Sequence, residues 1–119
     1  DMAVPIQLAL TYPARKPSPA PALDFGAISK ISFGKPDMES FPCLALAIES
    51  AKVGGSLPSV MNAANEEAVY KFLKDEIKFT DIPKICREVM DAHTVIPDPE
   101  LSEVLSADRW AREYVKEVI

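Results

Sequence analysis

The clearest pattern of apolar positions lies in the second half of the chain, at spacings of three and four. Ile82, Ile85, Cys86, Val89, Met90 and His93 share one face of a helix predicted over residues 80–93, with Thr80 as its N-cap and Pro83 in the first turn. Ala107, Trp110, Ala111, Tyr114, Val115 and Val118 repeat that spacing behind Ser106, the expected cap of a last helix, while Arg109, Arg112, Glu113 and Lys116 take the outer side. Between the two, Pro97 and Pro99 break the chain and leave Leu101, Val104 and Leu105 as a short turn. Upstream, Met61, Ala64, Ala68 and Phe72 form a core stripe, flanked by Val60, Val69 and Leu73, on a helix over 56–76 whose start Ser56 can cap. A further helix over 39–53 places Phe41, Leu44, Ala45, Ile48 and Lys52 along one face and ends at Gly54 and Gly55. Four amphipathic helices with short connections predict an up-and-down bundle over residues 37–119.

Residues 1–36 follow no such pattern. Seven of the eleven prolines precede Cys43, and Pro13, Pro17, Pro19 and Pro21 nearly alternate, which stiffens this stretch into an extended linker. Before it, residues 5–12 (PIQLALTY) predict a short helix, with proline where a first turn tolerates it. After it, residues 28–33 (ISKISF) alternate Ile28, Lys30 and Ser32 against Ser29, Ile31 and Phe33, the period of one short strand. A lone strand cannot satisfy its own backbone, so its partner lies in the linker or outside this chain. The expected fold class is mainly α: a four-helix bundle preceded by an extended Pro-rich linker with a short helix and a short strand.

Composition narrows the function more than the fold. Thirteen basic against eighteen acidic side chains give a formal charge of -5, a surface field that repels nucleic acid and anionic membrane. The longest apolar run, residues 41–48, is stopped by Glu49 far short of a membrane span. The start at Asp1 and Met2 has neither a basic nor an apolar leader region, so it reads as a processed chain or a fragment rather than a signal peptide. Cys43 and Cys86 are too few for a disulfide framework or a closed zinc site and read as buried, reduced thiols, which points to cytoplasm or plastid stroma.

Few residues could carry chemistry. Asp37-Met38-Glu39 and Asp98-Pro99-Glu100 look like paired metal carboxylates, but each lies just ahead of a helix, where acidic residues cap free amides. His93, the only histidine, falls in the last turn of its helix, against the C-terminal carbonyls. Asn62 and Asn65 are poor helix formers and read as inward hydrogen-bonding ties to nearby backbone. Gly54 and Gly55 lack the spacing of a phosphate loop, and no nucleophile has a base beside it. The residues assign no catalytic and no metal-binding role within this chain.

Several short runs, taken in order, resemble one family. Asp1-Met2, Pro5-Ile6, Leu10-Thr11-Tyr12-Pro13 and Leu23-Asp24-Phe25 are similar to the run by which 1-deoxy-D-xylulose 5-phosphate reductoisomerases leave their catalytic domain. Phe41-Pro42-Cys43-Leu44, Leu46-Ala47, Asn62-Ala63-Ala64-Asn65-Glu66 and Phe79-Thr80-Asp81-Ile82 resemble that family's C-terminal domain, so the likeness covers essentially the whole chain. It implies a parent that uses NADPH and Mg or Mn to turn 1-deoxy-D-xylulose 5-phosphate into 2-C-methyl-D-erythritol 4-phosphate, the committed step of non-mevalonate isoprenoid synthesis. It further implies a homodimer paired through a central catalytic domain, with the nucleotide domain and metal carboxylates encoded upstream. Residues 1–36 would then be the end of the catalytic domain and a crossing linker, and 37–119 the C-terminal bundle. Met2 matches a methionine near the nicotinamide and substrate, a wall of the site rather than a proton donor; Ala3 departs from the basic residue that usually follows. This chain alone is expected to be inactive, to bind no cofactor and to buttress the parent's catalytic domain. The alternative is a free-standing helical module that binds a partner helix in an apolar groove.

Overall fold

Asp24 and Asp37 set the local structure of the N-terminal part. In the computed structural model, which describes residues 2–118, Asp24 accepts hydrogen bonds from the Gly26 and Ala27 amides at 2.9 and 3.2 Å. It thereby caps a single helical turn, α2 (Phe25–Ile28), after which Ser29 turns away at φ 49°. The strand expected over residues 28–33 is therefore not formed: Ile28 closes α2, and residues 29–37 are irregular. Alternation is a face-sorting signal, and no strand exists among the described residues to supply the ladder it requires. The short helix is present as α1 (Ala3–Thr11), starting two residues before the expected Pro5. Gln7 ties it to the linker by donating to the Lys16 and Pro17 carbonyls at 3.1 and 2.7 Å. Asp37 caps a turn as expected, accepting from the Glu39 and Ser40 amides at 3.0 and 2.9 Å. These bonds hold its carboxyl below the usual carboxylate range, the Ser40 amide contributing most.

Two compact units result, Asp1–Lys35 and Pro36–Ile119. The second is the bundle: α3 (Pro42–Val53), α4 (Leu57–Leu73), α5 (Ile82–Ala92) and α6 (Leu101–Val118), with a 3-10 turn at Phe79–Asp81 leading into α5. The fold is mainly α. Helix α4 packs against α3, α5 and α6 and carries most of the contact between the helices. Its Ala63, Ala64 and Ala68 are wholly buried, as are Val60, Val89 of α5, and Ala111 and Val115 of α6.

The α5 stripe lies inward as expected, with Ile82, Ile85, Cys86, Val89 and Met90 all buried. Helix α3 shows a different face from the one its pattern implied. Leu46 and Ser50 are buried, with Cys43 packed against the core, while Phe41, Leu44 and Ile48 are exposed. Residues 41–48 are apolar on every side, so their periodicity selects no face. The buried hydroxyl of Ser50 is satisfied within its own helix, donating to the Ala47 carbonyl at 3.0 Å.

Helix α6 begins at Leu101 and runs unbroken, so Ser106 lies inside it and donates to the Ser102 carbonyl at 2.8 Å instead of capping. The helix start is met by Glu103, whose carboxylate accepts from the Glu100 amide at 2.8 Å; Asp98 caps nothing among the described residues. Thr80 likewise gives way to Asp81, which accepts from the Lys78 amide at 3.1 Å and the Lys84 ammonium at 2.8 Å. Gly54 and Gly55, at φ 72° and 59°, end α3 as the sequence indicates. Gly55 has a second reason to be glycine: a Cβ there would come 2.2 Å from the Ile96 carbonyl oxygen.

Candidate functional site

Met2, the one residue assigned to an active-site wall, is the N-cap of α1 and is 68% exposed. Val4, Ile6, Leu8 and Leu10 behind it are exposed as well, so α1 is mostly apolar, Gln7 and Thr11 apart, and buries none of its residues among those described. A helix of that kind normally sits inside a larger protein. The motif residues of the bundle come together in one place. Phe41 and Cys43 from the start of α3, Asn65 and Val69 from the middle of α4, and Phe79 and Ile82 around the start of α5 line a notch of about 400 Å³. The walls are largely apolar, and Phe79 is braced edge-on against Phe72 at a centroid distance of 5.7 Å. Asn65 is half-buried there and makes no hydrogen bond among the described residues. Asn62 points outward and donates to Glu66 at 3.3 Å, so neither asparagine forms the expected inward tie.

Burial controls the thiols beside the notch. Cys86 is buried and its pKa is pushed up to about 12, mainly by desolvation and further by the neighbouring Cys43. Cys43 is half-buried and raised for the same leading reason. Both are free thiols held away from the thiolate form that nucleophilic or metal chemistry needs.

Sequence reasoning missed a polar brace at the far end of α5. The fully buried Ser56 hydroxyl lies 2.7 Å from His93 Nε2 and accepts the Ile96 amide at 3.0 Å, while the Ser56 amide donates to the Ile96 carbonyl at 3.0 Å. His93 also packs on Trp110 at a centroid distance of 5.1 Å. It therefore bridges α4 to α6 rather than facing the carbonyls of its own helix. With one lone pair of Ser56 taken by Ile96, the hydroxyl keeps a proton and a second lone pair for Nε2, so the contact suits either neutral tautomer of the ring. Burial lowers the His93 pKa and favours the neutral ring. Nothing local could have revealed this, because Ser56 and His93 are 37 positions apart.

Two surface ion clusters hold helix to helix. Arg112 of α6 pairs with Asp108 on its own helix and reaches Glu66 and Glu67 of α4 at 2.8 and 3.4 Å. Arg87 of α5 joins Glu49 of α3 and Asp91. Glu66 and Glu49 are both drawn below the usual carboxylate range, first by their hydrogen bonds to Arg112 and Arg87. Among the described residues no three His, Cys, Asp or Glu side chains gather in a way that could hold a metal ion. Among the described residues no helix is long and apolar enough to cross a membrane.

The comparisons with known proteins agree with one another. A family model described as the DXP reductoisomerase C-terminal domain matches residues 1–114. A 1-deoxy-D-xylulose 5-phosphate reductoisomerase of Acetivibrio thermocellus is 49% identical over all 119 residues, which are 31% of that relative. One from Heliobacterium modesticaldum is 50% identical over 117 residues, 98% of this chain and 30% of its own. Among solved structures, the Zymomonas mobilis reductoisomerase in complex with NADPH superposes with a TM-score of 0.87 at 43% identity, covering 99% of this chain and 31% of that one. A DOX-P reductoisomerase in complex with NADPH, fosmidomycin and magnesium gives 0.85 at 32% identity, covering 98% and 31%. The chain thus spans about a third of the length of the relatives it matches.

Proposed function

The chain belongs to the DXP reductoisomerase C-terminal domain family, and from that premise we propose that it is the helical buttress of a parent enzyme. That parent converts 1-deoxy-D-xylulose 5-phosphate to 2-C-methyl-D-erythritol 4-phosphate with NADPH and a divalent cation. The observation that carries this reading is the match of one family model to residues 1–114. The exposed apolar α1 supports it over a free-standing module, which would leave such a helix without a surface to bury against.

The donors of this chain fit neither the nucleotide nor the metal. Asp37 is engaged by two backbone amides, the two thiols are protonated, and Gly54-Gly55 ends a helix against Ile96. No chemical step is assigned to them. What this chain supplies is position: α1 would bring Met2 to the wall of the site, residues 1–36 would finish the catalytic domain and cross over, and the bundle would back it from behind. A homodimeric parent in cytoplasm or plastid completes the reading.

One assay tests it. The parent should oxidise NADPH when given 1-deoxy-D-xylulose 5-phosphate and Mg, and this chain by itself should not. Parent carrying Met2→Ala should lose activity by roughly tenfold, the scale of a displaced wall residue rather than a lost proton donor. Turnover by the isolated chain, or none by the parent, overturns the proposal; an unaltered Met2→Ala enzyme removes only the assignment of Met2.

A further inference from the structure

An amide without a partner is an unusual thing to find on the wall of an apolar notch. Asn65 lies in the interior of α4, where its side chain is a poor helix former, and it returns no hydrogen bond to any described residue. Its amide carries donors and an acceptor in one plane, the arrangement that can take both the carbonyl and the N–H of a passing main chain. Around it, Phe41, Cys43, Val69, Phe79 and Ile82 offer apolar contact, and Phe41 and Phe79 stand at the rim well exposed. The notch, about 400 Å³, is the size of one or two side chains, too small for a packed helix face and too apolar for a charged metabolite.

We propose that this notch seats an extended apolar stretch of the parent's own polypeptide, drawn from the two-thirds of its length outside this chain, with its main chain hydrogen-bonded to Asn65. This rests on the reading of the chain as a domain of a longer enzyme and deepens it by naming where the rest of that enzyme is gripped. Three observations choose the occupant. This chain accounts for only 31% of its relatives, so most of the polypeptide that shares its molecule lies elsewhere. The chain's formal charge of -5 disfavours a second copy of the same domain as the occupant. The pairing of a flat amide with apolar walls suits a peptide backbone carrying apolar side chains, since each wall and each polar atom then has something to meet.

The test uses the full-length parent with p-benzoyl-phenylalanine installed at Phe79, whose exposed ring at the notch rim leaves room for the added benzoyl group. Irradiation and peptide mapping should give an intramolecular cross-link to a segment preceding the residues of this chain. A cross-link to a second copy, one to another protein, or no cross-linked peptide overturns the proposal. A second measurement does not depend on the probe. Asn65→Ala should leave the melting temperature of the isolated chain unchanged or slightly raised, because Asn65 has no partner to lose there. In the parent the same change should lower the melting temperature by about 2 °C or more. Equal effects in both proteins would show that Asn65 acts only within its own helix and would end the proposal. If the cross-link fails while the parent still turns over substrate, the docking site falls and the enzyme reading stands. A parent without turnover removes the enzyme reading whatever the cross-link shows.

Discussion

At the scale of the residue, His93 shows how a side chain with catalytic credentials becomes structural. Its ring is hydrogen-bonded to Ser56, packs on Trp110 and, among the described residues, bonds to no carboxylate that could make it a base; Glu103 lines the same hollow but is occupied by the Glu100 amide. The unfolded ring takes up its proton around its ordinary 6.5, the folded ring only at lower pH, so the folded state binds fewer protons in that window. Stability is complete above pH 6.5 and declines as pH falls below it. The melting temperature should therefore drop between pH 7 and pH 5, and His93→Gln should flatten that slope while lowering stability throughout. The depressed carboxylates Asp37, Glu49, Glu66 and Asp81 stay silent in this window, since they lose their contribution only near or below their ordinary 3.8 and 4.5. An unchanged slope in His93→Gln would show that the ring is not responsible. Sequence reading found His93 structural but misplaced its partner, because a bond between residues 56 and 93 leaves no trace in local spacing.

At the scale of the element, α5 was legible almost residue for residue because its polar and apolar positions are cleanly sorted, whereas α3 was not. A helix apolar on both sides carries no internal instruction about which side faces in; the choice fell to packing against α4 and α5. The junction between α3 and α4 was legible as a stop signal but not as a contact. Gly54 and Gly55 share a positive φ, yet only Gly55 is pressed against the Ile96 carbonyl. Gly54→Ala should cost on the order of 1–2 kcal/mol from backbone strain alone. Gly55→Ala should cost clearly more, since Ile96 must move and with it the two backbone bonds to Ser56. Urea denaturation of both variants measures the difference, and equal midpoints would show that the close approach relaxes freely.

At the scale of the whole molecule, the mainly α class and a bundle after a proline-rich lead were readable, and the strand was not, because pairing is a property of two segments. The two units differ in what they bury. Among the described residues of the first, none is buried; the second contains the entire buried core. Trypsin should therefore cut the isolated chain quickly after Arg15 and Lys30 and leave a resistant fragment from Ile31 onward, with Lys71, Lys84 and Arg87 spared. Mass spectrometry of the digest decides it: early cuts within α4 or α5 would mean that the bundle is no more stable than the lead.

The wholly buried Ala63, Ala64 and Ala68 set bare methyl groups against the neighbours of α4, beside the larger Leu57 and Val60. At those three positions no side chain has a rotamer to exchange, so the seam has little slack there. If the parent shifts during turnover, a push at one helix is passed on undiminished to the others, and the bundle swings as one body. Drift in sequence is confined in the same way, toward the solvent side of α6 and away from the alanines, where even one added methyl group would pry the helices apart.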